Sequence, residues 1–209
     1  TAPAQCAAAL RDGALSAWLR AHRAPAGLCD VAVAAEALVA RENPDDGALS
    51  PKARVALASL AWALGREGVA VEGVVVTTAE GLKTHLRNGT LHDGPLAEQG
   101  ELLGQWFRSR GEHGVAAACE ALGRGEAHAA WRLRWALGEP LRVGQRPVAD
   151  PSQLAREMLQ RPAARADVLA RWRDGSLAAW LDALPRTKRD PLWHDELRQA
   201  PDDPGALWR

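Results

Sequence analysis

The chain of 209 residues contains no tyrosine, a single phenylalanine and a single methionine, Met158, and only three lysines, Lys52, Lys83 and Lys188, against 23 arginines. Nine tryptophans supply most of its aromatic surface. This skew reads as GC-rich bacterial coding bias and carries no functional weight. Cysteine is scarce too: Cys6, Cys29 and Cys119 sit in Ala-rich contexts without CxxC spacing, which argues against a zinc site and against a disulfide framework. A reducing cytoplasm is the expected compartment. No apolar run approaches the roughly 20 residues that span a bilayer, and no basic-then-apolar leader opens the sequence, so no membrane association is expected. Because the first residue is Thr and the only Met is internal, the sequence reads as an excised portion of a longer protein.

Motifs that write chemistry locally are missing as well. There is no GxSxG, no phosphate-cradling GxxxxGK[ST] and no HExxH. No cofactor, no metal and no small-molecule ligand is therefore expected. A composite active site assembled from distant positions is not excluded by sequence, and an enzyme of that kind stands as a third reading.

What is present is ordinary globular composition, 47% hydrophobic and 25% charged, with a net charge of zero. The charge is unevenly spread. Residues 128 to 189 hold 12 Lys and Arg against six Asp and Glu, leaving the rest of the chain acidic, a polarity able to orient a partner.

The chain also repeats itself. "LRDGALSAWLRA" at 10 to 21 returns as "WRDGSLAAWLDA" at 172 to 183. "VAVAAEAL" at 31 to 38 returns as "VAAACEAL" at 115 to 122 with six of eight positions identical, and "LAWALG" at 60 to 65 as "LRWALG" at 133 to 138 with five of six. A weaker middle copy of the opening phrase, "EQGELLGQWFRS" at 98 to 109, aligns on Gly100 but sets Trp106 one position late. Self-similarity in constant order is the signature of repeat architecture. The fold class expected is all-α, with about two and a third tandem helical repeats forming a solenoid or compact bundle in one domain, 1 to 209. Its units run approximately 10 to 97, 98 to 172 and a partial 173 to 209, and Leu15, Trp18 and Leu19 form a stripe that helix packing should bury.

Boundary signals fix the helices. Ser50-Pro51 and Asp150-Pro151 read as an N-cap with Pro in the first turn, and Thr77 with Glu80 has capping-box spacing. Gly65, Gly89 and Gly138 read as C-terminal stops. Extended connectors are expected near 69 to 76 and 140 to 148, the second weakened by Pro140 and Pro147.

Candidate residues for function are few. His85, His92 and Asp93 carry metal-ligating atoms, but Gly89 should break the helix between them, so a solvated loop is the expected reading. Cys119 with His113 has the elements of a thiol nucleophile and base, yet Cys119 aligns with Ala35 in the other copy, as a small core residue would. Tryptophans matched between copies, Trp18 with Trp180 and Trp62 with Trp135, are expected to be packing residues. Trp131, Trp172, Trp193 and Trp208 break the pattern and are the candidates for binding a protein partner, since Trp and Arg dominate interface hot spots. Arg132, Arg134, Arg142, Arg146, Arg161, Arg165, Arg171 and Arg173, with Trp interleaved, form the alternative, a nucleic-acid surface, opposed by the nearby acids Glu139, Asp150, Glu157, Asp167 and Asp174.

The G-x-L-x-x-W-L phrase, the L-x-W-A-L-G helix and the Gly-centred connector between them resemble helical regions of large bacterial multidomain proteins, across most of residues 10 to 184. In such proteins these segments accompany kinase-like or ATPase modules in signalling or defence. The resemblance implies a helical scaffold and transfers no activity and no catalytic residue. Together with the residues above, it gives the expected function: a non-catalytic scaffold or protein-interaction module of a larger bacterial cytoplasmic protein.

Overall fold

A computed structural model describes residues 10–42 and 49–184. The chain is mostly helical, with eleven helices and two small sheets among the described residues. It divides between Thr77 and Thr78 into two compact units.

The first unit holds α1 (Ala14–Ala21), α2 (Ala26–Val39), α3 (Pro51–Ala63) and the strands β1 (Val69–Val71) and β2 (Val74–Val76). Its core is built from Leu10, Leu19, Cys29, Ala32, Ala35, Val39 and Leu60. Small residues along one face of α2 let the neighbouring helices approach closely, and three of them, Ala32, Ala35 and Val39, have no exposed surface. Ser50 begins α3 as the sequence implies: its hydroxyl accepts the Ala53 N–H at 3.3 Å, and Pro51 follows in the first turn, where no N–H is needed.

The second unit runs α4 (Ala79–Arg87), α5 (Asp93–Glu98), α6 (Gly100–Ser109), α7 (His113–Gly123), α8 (Ala129–Ala136), β3 (Leu141–Val143), β4 (Arg146–Val148), α9 (Pro151–Gln160), α10 (Pro162–Arg173) and α11 (Ser176–Ala183). One cluster joins Trp135 of α8, Leu141, Val143 and Val148 of the strands, Leu154 and Met158 of α9, Val168 of α10 and Leu177, Trp180 and Leu181 of α11. Asp150 caps α9 by accepting the Gln153 N–H at 2.8 Å, while Gln153 Oε1 accepts the Ala149 N–H at 2.9 Å, so two otherwise orphaned donors are satisfied. Arg161, the residue before Pro162, is extended (φ −140°, ψ 111°) and separates α9 from α10.

Both connectors are two-residue antiparallel hairpins, with register Val71↔Val74 in one and Val143↔Arg146 in the other. Their turns differ because their glycines stand at different positions. Glu72 and Gly73 both take positive φ (47° and 82°), a type I′ turn, whereas at the second hairpin only the first central residue, Gly144, does (57°), as type II′ requires. Pro147 does not prevent the second hairpin. It pairs with Arg142, one step from the closing pair and so at a non-hydrogen-bonded site, where a missing N–H costs the ladder nothing.

Two expectations are corrected. The cap of α4 is Thr78, not Thr77: its Oγ1 accepts the Gly81 N–H at 3.0 Å, and the helix opens one residue later than the Thr77–Glu80 spacing implies. Trp18 is not buried. It is 55% exposed and stacks on His22 with ring centroids 4.3 Å apart, while Leu19, its neighbour on the stripe, is 3% exposed. Gly13 and Gly175 precede α1 and α11 in the left-handed conformation, whereas Gly100, on which the middle copy aligns, is the first residue of α6 and touches α7. Gly65, Gly89 and Gly138 do lie in left-handed conformations after their helices, as stop residues should.

Gly100 exists for proximity. A Cβ there would lie 2.5 Å from the Cys119 carbonyl oxygen and 2.7 Å from both Cα and N of Gly123, all backbone atoms unable to swing aside. One turn later, a Cβ on Gly104 would lie 2.4 Å from Glu120 Cγ. The backbones of α6 and α7 therefore meet nearly in contact.

Gly100→Ala is expected to destabilise the second unit by about 1–3 kcal/mol or more, the usual cost of overpacking, as a lowered denaturation midpoint in urea. Gly114→Ala, at a helical position with open space around the new methyl, should leave the midpoint unchanged or raise it slightly. Trp180, fully buried, and Trp18, half exposed, should respond as differently as their surroundings. Trp180→Ala should cost about 3–5 kcal/mol and Trp18→Ala much less, in the same urea titration.

Candidate functional site

Of the residues singled out for binding, Trp131, Arg132 and Arg134 lie on α8. His128 begins this helix in the left-handed conformation (φ 58°), and its Nε2 lies 2.7 Å from the Asp174 carbonyl oxygen, which ties the start of α8 to the turn before α11. With 3.6 residues per turn, Ala129 and Leu133 face inward, and Trp135 is also buried, at 5% exposure. Trp131 faces outward and is 57% exposed.

That tryptophan is contacted by two side chains. Trp135, one turn on, stacks against it with centroids 6.2 Å apart and an interplanar angle of 25°. The Arg134 guanidinium lies 5.6 Å from its ring centroid, within cation–π range. Arg134 is itself fixed by Asp93, 3.1 Å away at the start of α5. The indole is thus presented to solvent with two neighbouring side chains restricting its rotamers.

On the adjacent edge of α8, Arg132 and Ala136 line a cleft of about 740 Å³ whose other walls are Gly111 to Val115 with Ala117 and Ala118 at the start of α7, and Asp182 to Leu184 at the end of α11. Glu112, His113, Arg132 and Asp182 bring its polar groups. Arg132 already binds the Glu126 carboxylate at 2.9 Å. The hydrogen bond from Arg124 at 2.8 Å, aided by the charges of Arg124 and Arg132, holds the Glu126 carboxyl below its ordinary range.

The remaining arginines are mostly committed. Arg146 and Arg161 share Glu157 at 3.4 and 3.5 Å, and Arg171 reaches Asp167 at 3.5 Å. Arg165 donates to the backbone carbonyls of Met158 (2.7 Å) and Leu159 (3.4 Å). Arg142 and Arg173 are exposed, and neither forms an ion pair among the described residues. The nearby acids also have structural tasks: Asp167 accepts the Gly144 N–H at 2.9 Å and so secures the hairpin turn, and Glu139 faces Arg87 at 4.0 Å. Trp172 is half-buried against the core of the second unit. Trp193 and Trp208 lie outside the described residues.

His85 Nδ1 lies 2.9 Å from Thr90 Oγ1, and Asp93 is engaged by Arg134, so two members of the suspected His85, His92 and Asp93 group have separate partners. Among the described residues, no three of His, Cys, Asp and Glu gather so as to hold a metal ion. Cys119 has no exposed surface, and burial, with a smaller push from Glu120, drives its thiol pKa up to about 12. His113, at the exposed start of α7, lies on the same helix six residues away.

Sequence reasoning passed over one pair. Glu36 and Glu120 occupy the same place in the two matched octets, and each reaches back to the preceding helix. Glu36, only 6% exposed, accepts the Ser16 N–H at 2.8 Å in the first turn of α1, and Glu120 accepts from Arg108 of α6 at 2.7 Å. A charged residue kept inside an otherwise apolar eight-residue phrase was the available signal.

Comparison with protein-family models, with curated proteins and with solved structures yields no match to this chain.

Two outcomes follow from the titratable groups. In the Cys6→Ser/Cys29→Ser protein, Cys119 should resist a thiol-specific reagent at pH 8 and react only as denaturant unfolds the second unit; rapid labelling of the native protein would revive the nucleophile reading. Asp174 is partly desolvated, which opposes its ionisation, but hydrogen bonds from Ser176 and the charges of His128 and Arg171 outweigh this and lower its pKa from 3.8. A carboxyl whose folded pKa is depressed stabilises the fold above its unfolded pKa and loses that contribution as pH falls through the folded value. The stability gap between the wild type and Asp174→Asn should thus be present above the carboxyl's unfolded pKa and close as pH falls through its lower folded value, as urea midpoints would record.

Proposed function

We propose that this chain is a non-catalytic scaffold module, built by duplication of a helical unit, that binds a protein partner through Trp131 within a larger bacterial cytoplasmic protein of signalling or antiviral defence. The observation that carries the reading is the pinned, outward-facing indole. Hot-spot residues are typically Trp, Tyr or Arg held in place before the partner arrives, because less side-chain entropy is then lost on binding. Trp131 with Arg134 supplies that pair on one helix.

The duplication is supported by matched local chemistry along units of 10 to 97 and 98 to 172, with 173 to 209 as a partial third. Each hairpin buries the same three positions, Val69, Val71 and Val76 in the first and Leu141, Val143 and Val148 in the second. Each is followed by a capped helix, from Thr78 or Asp150, with Leu82 or Leu154 fully buried at the same spacing. Setting the opening phrase in register on its Trp rather than its Gly aligns Leu15, Trp18 and Leu19 with Leu103, Trp106 and Phe107 and with Leu177, Trp180 and Leu181. In that register Ser16 and Gly104 correspond, and these are the residues against which Glu36 and Glu120 lie.

The nucleic-acid alternative draws less support. Phosphate binding by counterion release needs arginines free to exchange partners, and Arg132, Arg134, Arg146, Arg161 and Arg171 already face carboxylates.

A photo-crosslinking aromatic at position 131 of the full chain, expressed in bacterial cells, identifies what touches α8. The recovered partner should then bind Trp131→Ala at least about 10-fold more weakly than wild type, the loss of a moderate hot spot. Equal affinity for both would overturn the assignment of Trp131. Titration of mixed-sequence DNA and RNA supplies the other arm: binding that falls steeply with salt and with Arg142→Ala/Arg173→Ala, and not with Trp131→Ala, would replace the scaffold reading by the nucleic-acid one.

A further inference from the structure

We draw no further inference here: the strongest candidate, the cleft of about 740 Å³ in the second unit between the start of α7, the Arg132 edge of α8 and the end of α11 at Leu184, carries none, because its lining mixes Glu112 and Asp182 with His113 and Arg132 so that no ligand class is selected, and nothing in the structure shows what covers it.

Discussion

The second unit depends on one close approach, that of the α6 and α7 backbones at Gly100 and Gly123. Two helices normally pack with axes 8–10 Å apart, a distance set by the side chains between them. Here the side chains are absent at the crossing, since even a methyl on Gly100 would meet the Cys119 carbonyl and the Gly123 backbone. The consequence is geometric. Drawing α6 tight against α7 buries Leu103, Trp106 and Phe107 on one side and Ala116 and Cys119 on the other, and sets Gly104 against the side chain of Glu120, where a Cβ would have little room. Glu120 then has a short reach to Arg108 on the same helix as Gly104, so its charge is compensated at the edge of the contact.

A glutamate serves the same purpose by a different route in the first unit. Glu36 is buried, and its partner is the Ser16 N–H in the first turn of α1, where unpaired donors and the helix dipole both favour a negative charge. In each unit, then, a carboxylate on the longer helix fixes the shorter one that precedes it. The carboxylates differ in what they grip because Ser16 offers a backbone donor near a helix start, whereas Gly104 lies inside α6, where the N–H groups are already bonded and only a side chain such as Arg108 remains to be bound.

These relations explain which parts of the fold were legible in the sequence. Caps and stops were, because their signal is local: Ser50-Pro51 and Asp150-Pro151 specify a helix start within four residues. The one error, Thr77 for Thr78, arose where two adjacent threonines could each cap and only the backbone angle of Thr78 decides. The hairpins were half legible, because Pro147 looks prohibitive until pairing register shows that its nitrogen faces away from the ladder. The close contact at Gly100 was not legible, because a glycine signals a left-handed turn and a close approach with the same letter. Trp18 was misread because burial depends on which elements cover a stripe, and the same phrase in α11 is enclosed by α8 and α10. The cleft beside α8 could not be found at all, since its walls come from residues around 111–118, 132–136 and 182–184, which nothing in the linear order associates.

The same distinction separates Trp131 from the arginines around it. A run of arginine in a sequence says nothing of where the guanidinium groups go, and here carboxylates that lie 6, 41 and 11 residues away, Glu126, Asp93 and Glu157, take up Arg132, Arg134 and Arg146. Ion pairs at the surface contribute little to stability, roughly 0–1 kcal/mol each, but they fix direction. Arg134 shows the effect: drawn toward Asp93, it comes to lie over the Trp131 ring and braces it against Trp135. The charge of Arg134 is thus engaged in orienting an apolar group, and the Trp131 indole is left outward by that arrangement.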